Sequence, residues 1–471
     1  MKPFILAAIA VSVLSACTVG PDYQASATPL SEQWPELEQA AIATSSANSA
    51  EWQQWWQQYQ DPTLNALVNR ALADNLNLQI QISRIEQARA QLGLREAERW
   101  PMLSAQASAA REQQPSSLMP AALGGGSPRN QFAVAGVLSY EVDLWGRISR
   151  QREAANAMLA QSVFGAEAVQ LSLISDVIST YFSLLALEQQ QAAATAMLAS
   201  QEETLAIEQY RYERGASSAL NVRRAEAAVA SAQAALPDLN AAVRSARSAL
   251  ALLVGYSPEE MLGTIEFATS NFSAISTPSE FPTVTPSELL KRRPDIRAAE
   301  ANLQMASAQV GVAVAQRFPS LNLSGLVGSA ASDSSDLFGS GSDIWSIGAD
   351  LAGPIFDFGR RKNVVLAAEA ALQEAELSYQ QAIVAAVRDA SDALYLLSIS
   401  DQRLNAAQQQ YQAITNTVTV AERQYDQGAI GLFELLESQR ALLTAEMTLS
   451  DAKSQQLTAR TNLFKALGGG W

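Results

Sequence analysis

Apolar and polar positions alternate along a few short stretches of this chain and recur at helical spacing almost everywhere else. In 132–143, Phe132, Val134, Gly136, Leu138, Tyr140 and Val142 share one parity; Ala133, Ala135, Val137, Ser139, Glu141 and Asp143 share the other. Trp345, Ile347, Ala349 and Leu351 alternate with Ser346, Gly348 and Asp350, and Leu321, Leu323 and Val327 with Asn322 and Ser324. Period two with one polar face predicts strands that separate two unlike media, and about ten residues suits a tilted strand crossing a bilayer. The segment after Pro101 is a less apolar fourth strand. Taken alone, the alternation also fits two hairpins packed on a soluble core. Elsewhere the period changes: Leu171, Ile174, Ile178, Phe182 and Leu185 recur at three- and four-residue spacing, which predicts a helix.

The chain is duplicated. Aligning 75–101 with 293–319 gives seven identities in 27 positions without gaps, among them Gln91/Gln309, Gly93/Gly311, Arg99/Arg317 and Pro101/Pro319. Further on, an offset of 213 pairs Gly146-Arg147 with Gly359-Arg360, Tyr212 with Tyr425, Gly215 with Gly428 and Gly255 with Gly468. Each repeat predicts a helix of about 30–40 residues up to the proline, and then a hairpin of two alternating strands. A helix of about 67 residues follows, spanning roughly 100 Å, then a glycine turn and a returning helix of about 38 residues closed by Gly255 or Gly468. Pro237 is expected to kink the first returning helix.

Four strands cannot close a barrel, and open strand edges are not tolerated in hydrocarbon. The chain is therefore expected to oligomerise. Three copies would supply about twelve strands, whereas the interior of an eight-stranded barrel largely fills with side chains. Trp100, Tyr140, Trp145, Phe318 and Phe356 fall near the inner ends of the strands, where an aromatic girdle belongs.

Composition narrows the chemistry. Among 471 residues there is no histidine and one cysteine, which removes His-based catalytic triads, His-ligated metals, intrachain disulfides and Cys-rich metal sites. The formal net charge of −15 makes the chain a poor general nucleic-acid binder. The N-terminus reads as an address. Lys2 and an apolar run from Phe4 to Leu14 precede Leu14-Ser-Ala-Cys17, a secretory signal whose small-residue cleavage site would expose Cys17. This is similar to a bacterial lipobox, in which Cys17 is the lipid-attachment residue, and Thr18 after it favours the outer membrane.

Several motifs then converge on one family. Cys17-Thr-Val-Gly-Pro-Asp-Tyr23, Trp55-Trp56, Glu288-Leu-Leu-Lys-Arg-Arg-Pro-Asp-Ile296, Pro354-Ile-Phe-Asp357 with Gly359, and the ending Ala466-Leu-Gly-Gly-Gly-Trp471 resemble the TolC-like outer-membrane factors. The likeness is to their lipoprotein branch, the NodT-type components of RND efflux systems, and covers nearly the whole mature chain. It implies a mainly α fold with transmembrane β-structure: a long α-helical barrel and a 12-stranded β-barrel completed by a homotrimer, each chain giving two repeats and four strands. The implied partners are a periplasmic adaptor (membrane fusion) protein, an inner-membrane RND pump and outer-membrane lipid, with no nucleic acid. The expected organisation is a signal peptide at 1–16, a lipidated extended arm at 17–60, repeat 1 at 61–255 (hairpin 101–143), a connector at 256–287 and repeat 2 at 288–471 (hairpin 319–356). The resulting function is a passive outer-membrane exit duct for small molecules, lipid-anchored, with a helical extension in the periplasm. A type I secretion channel is the alternative, and a lipid-anchored coiled-coil scaffold a lesser one.

Such a duct needs no catalytic residue, cofactor or metal. By resemblance, the adaptor-docking tips are Gly215, Ala216, Gly428 and Ala429, and the periplasmic aperture is lined by Thr415, Thr419, Glu422 and Asp426. Thr419 stands where some relatives carry aspartate and Glu422 where they carry arginine, so any acidic ring here comes from Glu422 or Asp426. Arg293-Pro294-Asp295 reads as a helix entrance, and Trp55-Trp56 as an anchor for the N-terminal arm.

Overall fold

The structure is a computed structural model that describes residues 18–24, 34, 43–45, 54–113, 115, 117, 127–268, 270–278, 280–282 and 284–469. In chain order these form β1 (Ala43–Ser45), a 3-10 turn (Trp55–Tyr59), α1 (Pro62–Asp74), α2 (Leu76–Ala97), β2 (Met102–Gln113), β3 (Pro128–Val142), α3 (Arg147–Glu213), α4 (Ala219–Leu253) and α5 (Pro258–Leu262). There follow β4 (Glu280–Pro282), α6 (Pro286–Arg292), α7 (Pro294–Ala315), β5 (Ser320–Ala331), β6 (Asp343–Ala352), α8 (Arg360–Asp426) and α9 (Leu432–Ala466).

The helix expected ahead of each hairpin is two helices, broken at the same repeat position. Asn75 turns extended (ψ 121°), and Arg293 does likewise (ψ 120°). Pro294 explains the second break, because proline disfavours helix at the residue before it. Asn75 makes the first by side-chain competition. Its Oδ1 accepts from Leu78 N–H at 3.1 Å, and its Nδ2 donates to the Leu253 carbonyl at 2.8 Å.

α3 and α8 are each 67 residues long. Both are launched by an aspartate that fills the orphan N–H groups of the first turn. Asp143 accepts from Ile148 N–H at 3.0 Å and Ser149 N–H at 2.8 Å, and Asp357 from Arg361 N–H at 3.1 Å. Each long helix turns into its returning helix through a glycine at positive φ, Gly215 (+73°) and Gly428 (+72°). α4 runs unbroken through Pro237.

The chain divides into two compact units, and each draws on both repeats. The first comprises 84–163 and 298–380 with the arm up to residue 27, and holds the four-stranded antiparallel sheet in the order β2-β3-β5-β6. Its arm residues are threaded tightly. Val19 N–H donates to the Trp145 carbonyl at 3.2 Å, Asp22 pairs with Arg150 at 2.5 Å, and the Tyr23 hydroxyl donates to Glu300 at 2.8 Å. A Cβ on Gly20 would lie 2.5 Å from the Gly311 Cα, so the two glycines allow backbone to meet backbone.

The second unit comprises 28–83, 164–297 and 381–471 and holds the main core. Trp55 stacks on Phe464 (centroids 4.7 Å), Phe281 packs on the same ring (5.0 Å), and Tyr59 meets Phe182 edge-on (5.0 Å). The tryptophan pair thus anchors the arm. β1 pairs in parallel with β4, tying arm to connector. Arg293 is buried as a fork. It reaches Asp295 at 2.7 Å, Asp389 at 3.3 Å and the carbonyls of Ala386 and Ala466 at 3.4 and 3.3 Å, so the helix entrance at Pro294 is also a clamp on the end of α9.

Candidate functional site

Two features carry the chemistry: the two faces of the sheet in the first unit and the hairpin tips in the second.

Strand register decides the faces, because residues directly opposite each other in a ladder project to the same side. Gly136 lies opposite Val327, which lies opposite Trp345; the next rows are Leu103–Leu138–Gly325–Ile347, Tyr140–Leu323–Ala349 and Val142–Leu321–Leu351. The three intervening rows are Ser104–Val137–Leu326–Ser346, Met102–Ser139–Ser324–Gly348 and Glu141–Asn322–Asp350, polar except for Met102, Val137 and Leu326. The apolar parities of four separate strands therefore assemble one apolar face, and the polar parities one polar face. Trp345 (76% exposed), Ile347 and Leu351 stand open on the apolar side. β2 and β6 end the sheet, and their outer edges have no strand partner among the described residues. Trp145 stacks on Phe318 (4.6 Å) and donates to the Pro319 carbonyl at 2.8 Å, while Trp100 and Phe356 are exposed.

At the tips, Gly215, Ala216, Gly428 and Ala429 are all exposed. Ala216 N–H donates to the Arg211 carbonyl at 2.8 Å and Ala429 N–H to that of Gln424 at 2.7 Å, the six-to-one bond of a Schellman turn. A side chain on Gly215 or Gly428 would meet nothing within 4 Å, so only the positive φ calls for glycine. Thr415, Thr419, Glu422 and Asp426 fall at 4-3-4 spacing on α8 and form one stripe. Thr419, Glu422 and Asp426 are exposed. The threonine hydroxyls donate back to their own helix, Thr415 to the Tyr411 carbonyl at 2.8 Å and Thr419 to that of Thr415 at 2.9 Å. Neither is spent on a bond between hairpins. Cys17 lies outside the described residues.

Sequence reasoning missed the tie between the two hairpins. Glu208 of α3 is 1% exposed. Its carboxylate accepts from the Tyr425 hydroxyl of α8 and from the Ser217 hydroxyl in the first turn, with Arg211 Nη1 at 3.3 Å. Arg211 also lies over the Tyr425 ring at 4.9 Å. Burial pushes the Glu208 carboxyl up, but the Ser217 and Tyr425 hydrogen bonds and the Arg211 charge outweigh it and hold the group below its ordinary value. Burial and that carboxylate raise the Tyr425 phenol. The tie uses the repeat asymmetrically. Tyr212, the counterpart of Tyr425, is exposed, and the counterpart of Glu208 is Ala421. A glutamate at a core-facing position of a long helix was the available signal.

Comparison with known proteins agrees with this architecture. The family model described as outer membrane efflux protein matches residues 67–256 and 285–469. The toluene efflux pump outer membrane protein TtgI of Pseudomonas putida is 33% identical over 481 residues, covering 100% of this chain and 99% of that one. The solved outer-membrane channel OprN superposes with a TM-score of 0.87 at 30% identity, covering 97% of this chain and 100% of the other. The Campylobacter jejuni CmeC outer membrane channel superposes with 0.88 at 26% identity, covering 97% and 95%. The mainly α-helical fold with a small incomplete sheet is the long α-barrel and β-barrel architecture of those channels. The chain belongs to the outer membrane efflux protein family, the outer-membrane channel components of bacterial efflux and secretion systems.

Proposed function

We propose that this chain is the lipid-anchored, homotrimeric exit duct of a tripartite RND efflux system of the NodT type. The observation that carries the reading is the four-stranded sheet with one apolar face, one polar face and two unpaired edges. Such a sheet is stable in hydrocarbon only when its edges are closed. Three copies would bring about twelve strands, with lipid outside and water inside. The long helices then continue into the periplasm and end at the tips. Gly215, Ala216, Gly428 and Ala429 are the docking surface for the periplasmic adaptor, and the inner-membrane pump supplies the energy. Thr415, Thr419, Glu422 and Asp426 line the aperture, where three copies of Glu422 and Asp426 favour cations.

Cys17 carries the lipid in this reading. The segment beside it is pinned to the end of β3 through Val19 and Trp145, and a Cβ on Gly146 would sit 2.8 Å from the Thr18 side chain. Thr18 and Val19, next in sequence to the residue that this reading acylates, thus lie against the junction of β3 and α3. The division into arm, two repeats and connector follows the duplicated sequence. The selective steps belong to the pump, so a wide duct requires no solute-specific pocket. The test is purification from membranes with native lipid, followed by intact mass and planar-bilayer conductance. The reading requires a lipidated trimer that conducts and copurifies with an adaptor. A non-conducting monomer without acyl mass refutes it.

A further inference from the structure

The loop joining β5 to β6 holds a phenylalanine open to its surroundings on unfavourable backbone. Phe338 has φ +70° and its side chain is 72% exposed. A bulky residue in the left-handed region is a genuine outlier, and it persists only where the surroundings fix it. The surroundings here are a wired loop. Phe338 N–H donates to Ser329 Oγ at 3.0 Å, Ser329 Oγ donates to Ser342 Oγ at 2.8 Å, and Ser342 Oγ contacts the Gly339 carbonyl at 2.8 Å. Asp333 caps the turn Ser334–Asp336, accepting from Ser335 N–H at 3.0 Å.

The brace tells which side the loop takes. Ser329 stands opposite Val134 and shares its parity with Leu321, Leu323 and Val327, so its side chain is on the apolar face of the sheet. It is 2% exposed there. The loop therefore folds back over the apolar face and not over the polar one. Trp345 stands on the same face two residues into β6.

We infer that the β5–β6 loop is a built membrane anchor: Phe338, held by the Ser329–Ser342 pair, inserts into outer-leaflet lipid and extends the apolar belt past Trp345. The occupant is a lipid surface. The apolar face runs from Leu351 through Ile347 to Trp345, the exposed Asp343 opposite Ser329 is the one carboxylate between Trp345 and the loop, and a braced aromatic side chain enters lipid with little further loss of freedom. The inference rests on the proposed duct, in which the apolar face meets hydrocarbon.

The test places a nitroxide at Phe338→Cys, Trp345→Cys or Asp350→Cys in the full chain, reconstituted in phosphatidylethanolamine–phosphatidylglycerol vesicles. Collisions with oxygen, which concentrates in hydrocarbon, are compared with those of a water-soluble nickel chelate. Phe338 is largely exposed, so its replacement leaves no cavity. The expected result is oxygen-dominated relaxation at 338 and 345 and nickel-dominated relaxation at 350, with Ser329→Ala shifting the 338 label several-fold toward nickel. Oxygen dominance at 345 with nickel dominance at 338 overturns the anchor and leaves the duct standing. Nickel dominance at both 338 and 345 overturns the lipid-facing belt itself. An unchanged 338 label in Ser329→Ala overturns the serine brace.

Discussion

Tyr425 donates its phenolic hydrogen to the buried carboxylate of Glu208, 217 residues earlier in the chain. That bond joins the second long helix to the first close to both tips. A hydrogen bond to a charged group contributes roughly 1.5–3 kcal/mol. Tyr425→Phe, which deletes only the hydroxyl, is expected to weaken the tie by about that amount and raise mean single-channel conductance at neutral pH. Glu208→Ala is expected to do the same more strongly, because Ser217 and Arg211 lose their partner too. Conductance unchanged in both variants would remove the tie from any role in the aperture.

The same carboxylate makes the tip sensitive to acid. Burial raises it, and the Ser217, Tyr425 and Arg211 interactions lower it further than burial raises it, leaving it below the ordinary 4.5. A carboxyl depressed in the folded state contributes its full stability above the unfolded value and loses it as pH falls through the folded value. The tip is expected to be firm at neutral pH and to loosen only below about pH 4.5. Hydrogen-exchange protection of 205–222, corrected for intrinsic rates, should fall there in the native chain and show no such step in Glu208→Gln.

Glu422 sits exposed on the stripe assigned to the aperture. Glu422→Ala is expected to lower cation selectivity, read as a reversal potential closer to zero across a salt gradient. An unchanged potential would move the stripe off the conduction path.

The threaded arm predicts an unusual cost for a single methyl group. Gly20→Ala forces a Cβ to 2.5 Å from the Gly311 Cα at a φ of +99°. Overpacking of this kind costs typically about 1–3 kcal/mol. The expected outcome is a lower melting temperature and faster proteolytic release of the arm, whereas Gly93→Ala, inside α2 with nothing within 4 Å of the added carbon, should melt no lower than the parent and release the arm no faster.

Much of this fold was legible because period and duplication agree. The limits of α3 and α8 fall at the paired Gly-Arg and Tyr-x-x-Gly positions, and the strands where parity alternates. The break at Asn75 was not legible, since it depends on an amide that caps α2 and at the same time reaches the Leu253 carbonyl. The Glu208–Tyr425 tie was hidden for a related reason. Residues far apart in sequence meet through a packing register that a helical pattern leaves undetermined. The resemblance led toward Thr419 and Glu422, yet the described bond between hairpins uses Glu208, Ser217 and Tyr425. The register of the sheet needed coordinates to show that all four apolar parities share one side.

The most direct measurement is disulfide capture between β2 of one copy and β6 of another. Within one chain these strands are three steps apart, about 14 Å at 4.7–4.9 Å per step, too far for a disulfide. Cysteine pairs drawn from Ser104, Gln106 or Ser108 with Ser346, Gly348 or Asp350 sample the polar face of both edges, and the chain bearing only Cys17 is the control. The account predicts, for at least one pair, a crosslinked ladder in membranes that stops at three copies. Capture that never exceeds the control, or a ladder that continues past three, would contradict it.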